Sequence, residues 1–141
     1  MKKKYDTGVV FGCWDLLHAG HMLFLRGCMD SCEKLIIGLH TDPSIERTIK
    51  NAPVQTLFER YLQLDLFRRD DDQIIPYDIE ADITDIIQSY DINVRFLGSD
   101  YEDTEFTAKQ LLPVVYIPRD HTFSSSELRA RIYAAEVAKT L

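Results

Sequence analysis

Short apolar runs alternate with stretches of helical periodicity along the chain, and that alternation constrains the fold more than any other feature. The runs are Thr7–Phe11, Lys34–His40, Gln73–Pro76, Val94–Gly98 and Val114–Ile117. The first, second and fourth are almost continuously apolar, as expected of parallel strands buried on both faces. Helical spacing falls between and after them, over His21–Cys32, Thr56–Arg68, Asp82–Ser89 and Ser125–Lys139. The first of these carries Met22, Leu25 and Met29 on one stripe, widened by Leu23 and Phe24. The second has a wide apolar face of Leu57, Phe58, Tyr61, Leu62, Leu64 and Phe67, and Thr56 with Glu59 three residues on reads as a capping box. The third contributes Ile83, Ile86 and Ile87, and the last Leu128, Ile132, Ala135 and Val137. Such an order predicts an α/β fold, a doubly wound parallel five-stranded sheet with helices on both faces. The 141 residues show no internal repeat and no low-complexity linker, which fits a single domain over residues 1–141.

Ligands in sheets of this kind bind beyond the carboxyl ends of the strands. His18, Asp42, Asp100 and Arg119 each follow a predicted strand, so one crevice gathers them. The richest segment there is Phe11-Gly12-Cys13-Trp14-Asp15-Leu16-Leu17-His18-Ala19-Gly20-His21, at a strand-to-helix junction. The first N–H groups of a helix lack intrahelical partners, and the positive end of its dipole favours an anion. Two imidazoles beside those amides can donate to phosphate oxygens, and Gly20 leaves room for close approach. The segment reads as a phosphate site. Asp15 is either a turn carboxylate bonded to nearby N–H groups, or a group that orients the motif or helps hold a metal ion.

His18-Ala19-Gly20-His21 resembles the H-x-G-H signature of the nucleotidylyltransferase superfamily. The wider Phe11–His21 match resembles its cytidylyltransferase branch, the glycerol-3-phosphate cytidylyltransferases above all. Further landmarks follow in that family's order: Thr41-Asp42, Lys50, Glu59-Arg60, Arg68 to Asp71, Gly98-Ser99-Asp100-Tyr101, and Arg119 before Ser124-Ser125-Ser126. The likeness spans residues 8 to 133 and implies a Rossmann-like fold. It implies that His18, His21 and Lys50 are catalytic. It puts Cys13, Trp14, Asp15, Gly20, Gly98, Asp100, Arg119, Ser124, Ser125, Ser126 and Arg129 on the nucleotide, and Asp42, Arg60 and Tyr101 on the acceptor. Three departures stand out. Thr48 occupies the place of a first loop lysine. Asp120, His121 and Thr122 replace the residues that usually follow the arginine. Only Arg68 and Asp71 match a stretch that lies at a subunit contact in relatives, which leaves a homodimer open.

The ordinary alternatives are concrete. Ser124 to Ser126 also suit a helix N-cap; Arg119 also suits a surface pair with Asp120, Lys50 a solvated loop, and Arg68 a helix end. A net charge of −7 leaves no basic stripe for nucleic acid. No apolar run approaches the roughly 20 residues of a membrane helix. The basic start Met1 to Lys4 is not followed by a signal-type apolar region, so a cytoplasmic protein is expected. Cys13, Cys28 and Cys32 lack zinc-type spacing; Cys28 and Cys32 read as packing residues, all three as reduced thiols, and no protein-held metal site is expected.

The expected activity is transfer of CMP from CTP to a small phosphorylated alcohol, glycerol 3-phosphate first, with Mg²⁺ accompanying the triphosphate. The alternatives are an adenylyltransferase using ATP on another phosphorylated acceptor, and a nucleotide-binding protein without catalysis.

Overall fold

In the computed structural model, which describes residues 2–141, the chain forms one five-stranded parallel sheet. Met1, the first residue of the basic lead-in, lies outside the described residues. The strands are β1 (Tyr5–Gly12), β2 (Cys32–His40), β3 (Gln73–Tyr77), β4 (Val94–Gly98) and β5 (Val114–Ile117), in the spatial order β3-β2-β1-β4-β5. The chain steps outward from β1 to β3, then crosses back to lay β4 on the other side of β1. That reversal puts the topological switch between β1 and β4, where the carboxyl ends diverge and a crevice opens.

Both faces of the sheet are covered, which explains the continuous apolar runs. On one face Val10, Leu35, Ile37, Leu39, Val94 and Phe96 pack against Leu25, Cys28 and Met29 of α1 (Ala19–Ser31) and Leu64 of α3 (Leu57–Phe67). On the other, Val9, Ile36 and Tyr77 meet Ile83, Ile86 and Ile87 of α4 (Glu80–Ser89), with Ile92 beside them. Every residue of β2 from Leu35 to His40 is buried. The Rossmann-like reading and the buried, free state of Cys28 and Cys32 stand.

Four expectations need correcting. In α1, Met22 and Leu23 are exposed, and the inward stripe is Leu25, Cys28 and Met29 with Gly20. Glycine and cysteine are small enough to let the helix sit close to the sheet, and residues of that size do not register as an apolar stripe. Cys32 belongs to the start of β2, not to the helix. In α3, Leu57, Phe58, Tyr61 and Leu62 are exposed, Phe58 by 72%, so the wide face predicted for the core turns largely outward. In α5 (Ser125–Ala138), Ile132 and Val137 are likewise exposed and only the first turns approach the body of the domain. Two short elements escaped periodicity because they are too brief to show any: α2 (Pro43–Glu46) and a 3₁₀ turn at Ser99–Tyr101. The predicted capping box holds: Glu59 N donates to Thr56 Oγ1 at 3.2 Å and Thr56 N donates to Glu59 Oε1 at 3.1 Å.

Candidate active site

The loop from β1 to α1 is built by two strained residues and two clamps. Trp14 (φ 54°) and Leu16 (φ 51°) both lie in the left-handed region, which bulky side chains rarely occupy. Trp14 holds its place by donating Nε1–H to Gly38 O at 2.9 Å, and Leu16 by donating its N–H to Gln55 Oε1 at 2.8 Å. The Trp14 ring is buried, stacks on Phe24 and meets His21 edge-on, with centroids 5.6 Å apart. Trp14, expected on the nucleotide, is thus a largely buried ring packed against His21 that also lines the two hollows meeting there.

His18 caps α1. Its Nδ1 accepts from Gly20 N at 3.0 Å, while His21 Nδ1 accepts from His18 N at 3.2 Å. Each ring uses Nδ1 as an acceptor, which leaves Nε2 to carry the proton. Among the described residues neither Nε2 has a protein partner. The rings stack with centroids 3.9 Å apart, so protonating both is disfavoured. Burial, then His121 and Arg119, hold the His18 imidazole below its ordinary range, and burial, then His18, push His21 down to about 4. At neutral pH the pair is two uncharged donors at the capped N-terminus of α1.

A stability consequence follows for His21. Its folded pKa lies below the unfolded value, so on acidification the unfolded chain takes up the proton first. Stability from this residue is intact above about pH 6.5 and is lost as pH falls towards about 4, by roughly 2–3 kcal/mol. Urea denaturation at pH 7 and pH 4.5 should show a smaller acid loss in His21→Gln than in the natural chain; equal losses would remove the assignment.

Asp15 resolves in favour of orientation. Its buried carboxylate accepts from Val54 N and Gln55 N, both at 2.9 Å, and from Arg129 Nη2 at 2.9 Å. Arg129 also donates to Ala52 O at 3.0 Å. One carboxylate thus ties the β1 loop, the loop after Lys50 and the N-terminal part of α5 together. Ser124 caps α5 by accepting from Glu127 N at 3.1 Å, and Ser125 Oγ lies 3.5 Å from Asp15 O.

Arg60 does not meet the expectation of an acceptor contact. Only 2% exposed, its guanidinium donates to Cys13 O (3.0 Å), His40 O (2.6 Å), Thr41 O (2.7 Å) and Gln55 O (3.2 Å). Those carbonyls belong to the ends of β1 and β2 and the loop before α3, so Arg60 holds the rim of the crevice from beneath. Asp42 is likewise occupied: it caps α2, accepting from Ser44 N at 2.9 Å and Ser44 Oγ at 2.6 Å, and these bonds hold its carboxyl below the usual range. The Cys13 thiol is pushed up by burial despite the nearby Arg60.

Two hollows meet at His21. The larger, about 500 Å³, runs from Cys13, His18 and Gly20 across Gly98, Asp100 and Tyr101 to Arg119, His121, Phe123 and Ser124. The smaller, about 240 Å³, is lined by His21, Lys50, Ser125, Ser126 and Arg129. Arg119 lies in the larger one but pairs with Asp100 (3.2 Å), not with Asp120, and also donates to Phe123 O at 3.0 Å. Arg68 closes the end of α3, donating to Asp65 at 2.8 Å, while Asp71 is exposed. The expected residues other than Asp42 and Arg60 line one or both hollows, Trp14 both of them and Asp15 as their brace. His121 was not anticipated as a site residue; its place two residues beyond Arg119 was the available signal.

Comparison with known proteins agrees with this geometry. Residues 9–131 match the family described as cytidylyltransferase-like. The chain is 27% identical over 129 residues to glycerol-3-phosphate cytidylyltransferase of Staphylococcus aureus, covering 91% of this chain and 96% of that protein. It is 29% identical over 143 residues to bifunctional protein HldE of Helicobacter hepaticus, covering 99% of this chain but spanning only 29% of that protein's length. A lipopolysaccharide core biosynthesis protein from Thermoplasma volcanium shares the fold, with a TM-score of 0.55 at 16% identity over 93% of this chain and 88% of that one. The imidazole pair on a capped helix, at the switch point of a parallel sheet, and the match over most of its length place this chain in the cytidylyltransferase-like family of nucleotidyltransferases.

Proposed function

We propose that the protein transfers CMP from CTP to a small phosphorylated alcohol, glycerol 3-phosphate first, and releases pyrophosphate in the cytoplasm. The observation that carries this reading is the pair of His18 and His21 rings lining the larger hollow, each with Nδ1 occupied in the capping of α1 and Nε2 left as donor. In the reaction a phosphate oxygen of the acceptor attacks the α-phosphorus, one new P–O bond forms in line, and the bond to the bridging oxygen of pyrophosphate breaks. A phosphate dianion needs no side-chain nucleophile, so the protein supplies position and charge stabilisation. His18 and His21 donate to the α-phosphate oxygens, each donor contributing about 10²–10³ in rate. The smaller hollow, with Lys50, Ser125, Ser126 and Arg129, suits the leaving pyrophosphate. The larger takes the nucleoside and the acceptor past Gly98, Asp100, Tyr101 and Arg119.

Among the described residues no three His, Cys, Asp or Glu side chains converge on a point, and Asp15 and Asp42 are committed to protein donors. That donor set fits Mg²⁺ held chiefly by the phosphates, where it would neutralise their charge.

The second reading, ATP with another phosphorylated acceptor, draws on the HldE match, at 29% identity beside 27% for the glycerol-3-phosphate cytidylyltransferase. Pyrophosphate release measured for four nucleoside triphosphates against a panel of phosphorylated polyols separates the two. CTP with glycerol 3-phosphate should be fastest. A preference for ATP supports the second reading, and nucleotide binding without any release shows a non-catalytic protein.

A further inference from the structure

We propose that His121 is a third phosphate donor of this site, contacting the same α-phosphate as His18. The proposal rests on the nucleotidyl-transfer reading above and adds a residue to it. His121 belongs to the loop between β5 and α5, far from the helix α1 motif in sequence. In space it shares the ground above Gly20. A methyl group in place of a Gly20 hydrogen would lie 2.9 Å from Cε1 of His121 and 2.9 Å from Cε1 of His18. The two rings therefore converge on one helix N-terminus, and a side chain at position 20 would collide with both.

The tautomer of His121 follows from the same logic as for the other pair. Its Nδ1 accepts from Phe123 N at 3.2 Å, which leaves Nε2 as the donor. The ring is stacked on Phe123, with centroids 5.2 Å apart and planes 29° from parallel. The loop itself is fixed on either side: Arg119 N donates to Ser99 Oγ at 2.9 Å and Arg119 Nη2 donates to Phe123 O at 3.0 Å. A donor held this rigidly needs no reorganisation when charge develops, the condition under which a neutral hydrogen bond accelerates a reaction.

Charge around the crevice gives His121 its purpose. The two arginines nearest the phosphate ground are already engaged, Arg119 with Asp100 and Arg129 with Asp15. Lys50 borders only the smaller hollow. The equatorial oxygens of an α-phosphate above Gly20 thus face imidazoles first. His121 forms no covalent bond and moves no proton; it donates one hydrogen bond that shortens as the α-phosphorus becomes five-coordinate.

The test uses the full chain, with pyrophosphate release and calorimetric binding of nucleoside triphosphate measured on three variants whose melting is checked first. His121→Ala should lower kcat by about 10²-fold with KM for the triphosphate changed much less. His121→Gln, whose amide NH₂ reaches the place of Nε2–H, should recover most of that loss. His121→Phe, which keeps the stack on Phe123 but has no donor, should be as poor as Ala. Full activity in Ala, or recovery by Phe and not by Gln, would overturn the proposal and leave His121 a packing residue. If the natural chain binds triphosphate but transfers it to nothing, the transfer reading fails. Calorimetry then decides on His121 alone: weaker binding in Ala restored by Gln supports the contact, and unchanged binding removes it. If the natural chain binds no triphosphate, both proposals fall.

Discussion

Replacing His18 with Ala is expected to slow pyrophosphate release by at least about 10²- to 10³-fold, and replacing it with Asn to do nearly as much while leaving the helix capped. The two variants separate roles that the ring combines. His18 Nδ1 satisfies the Gly20 amide at the first turn of α1, and loss of such a cap costs about 0.5–2 kcal/mol. Asparagine is among the best N-caps and can accept from the same amide, but it offers no donor at the position of Nε2. Denaturant midpoints should fall for Ala and stay near the natural value for Asn, while kcat falls for both. If Asn retained turnover, the ring would be a cap and nothing more, and the phosphate reading would lose its first donor.

The sheet was legible because parallel strands buried on two faces must be apolar almost throughout; Leu35 to Ile37 admits no other economical reading. The place of the histidine pair was legible because it follows an apolar run and opens a helical pattern, and the pair does stand at the junction of β1 and α1. What the residues alone left hidden is the engagement of each charge. Arg60 sits in an otherwise half-exposed helix beside apolar neighbours, and linear spacing carries no sign that its guanidinium meets carbonyls from two distant segments as well as from Gln55 just before the helix. Asp15 was open between two roles because its partners, Val54, Gln55 and Arg129, lie far along the chain. The outward apolar face of α3 was misread because periodicity reports that a helix has a stripe, not which way the stripe points. The buried side of α3 instead presents Leu64 and the guanidinium of Arg60.

Arg60→Met should be the most destabilising single change in the site, by about 3–5 kcal/mol, lowering the melting temperature by about 10 °C or more. The side chain is 2% exposed, and its removal orphans the carbonyls of Cys13, His40 and Thr41, with Gln55 beside them. A buried acceptor without a donor costs about 1–3 kcal/mol, and methionine restores volume but no hydrogen bond. Arg60→Lys should recover only part of the loss, since an ammonium on one point cannot span carbonyls from β1, β2 and the pre-α3 loop. The same experiment decides between a rim clamp and the acceptor contact expected from resemblance. A clamp predicts lowered denaturant midpoints and, in whatever fraction stays folded, a loss shared between kcat and KM as Cys13 and the β2 end shift. An acceptor contact predicts a stable variant with a raised KM for the phosphorylated alcohol alone. A loss of less than about 1 kcal/mol with a raised acceptor KM would return Arg60 to the substrate and leave the crevice rim to be held by Trp14 and Asp15.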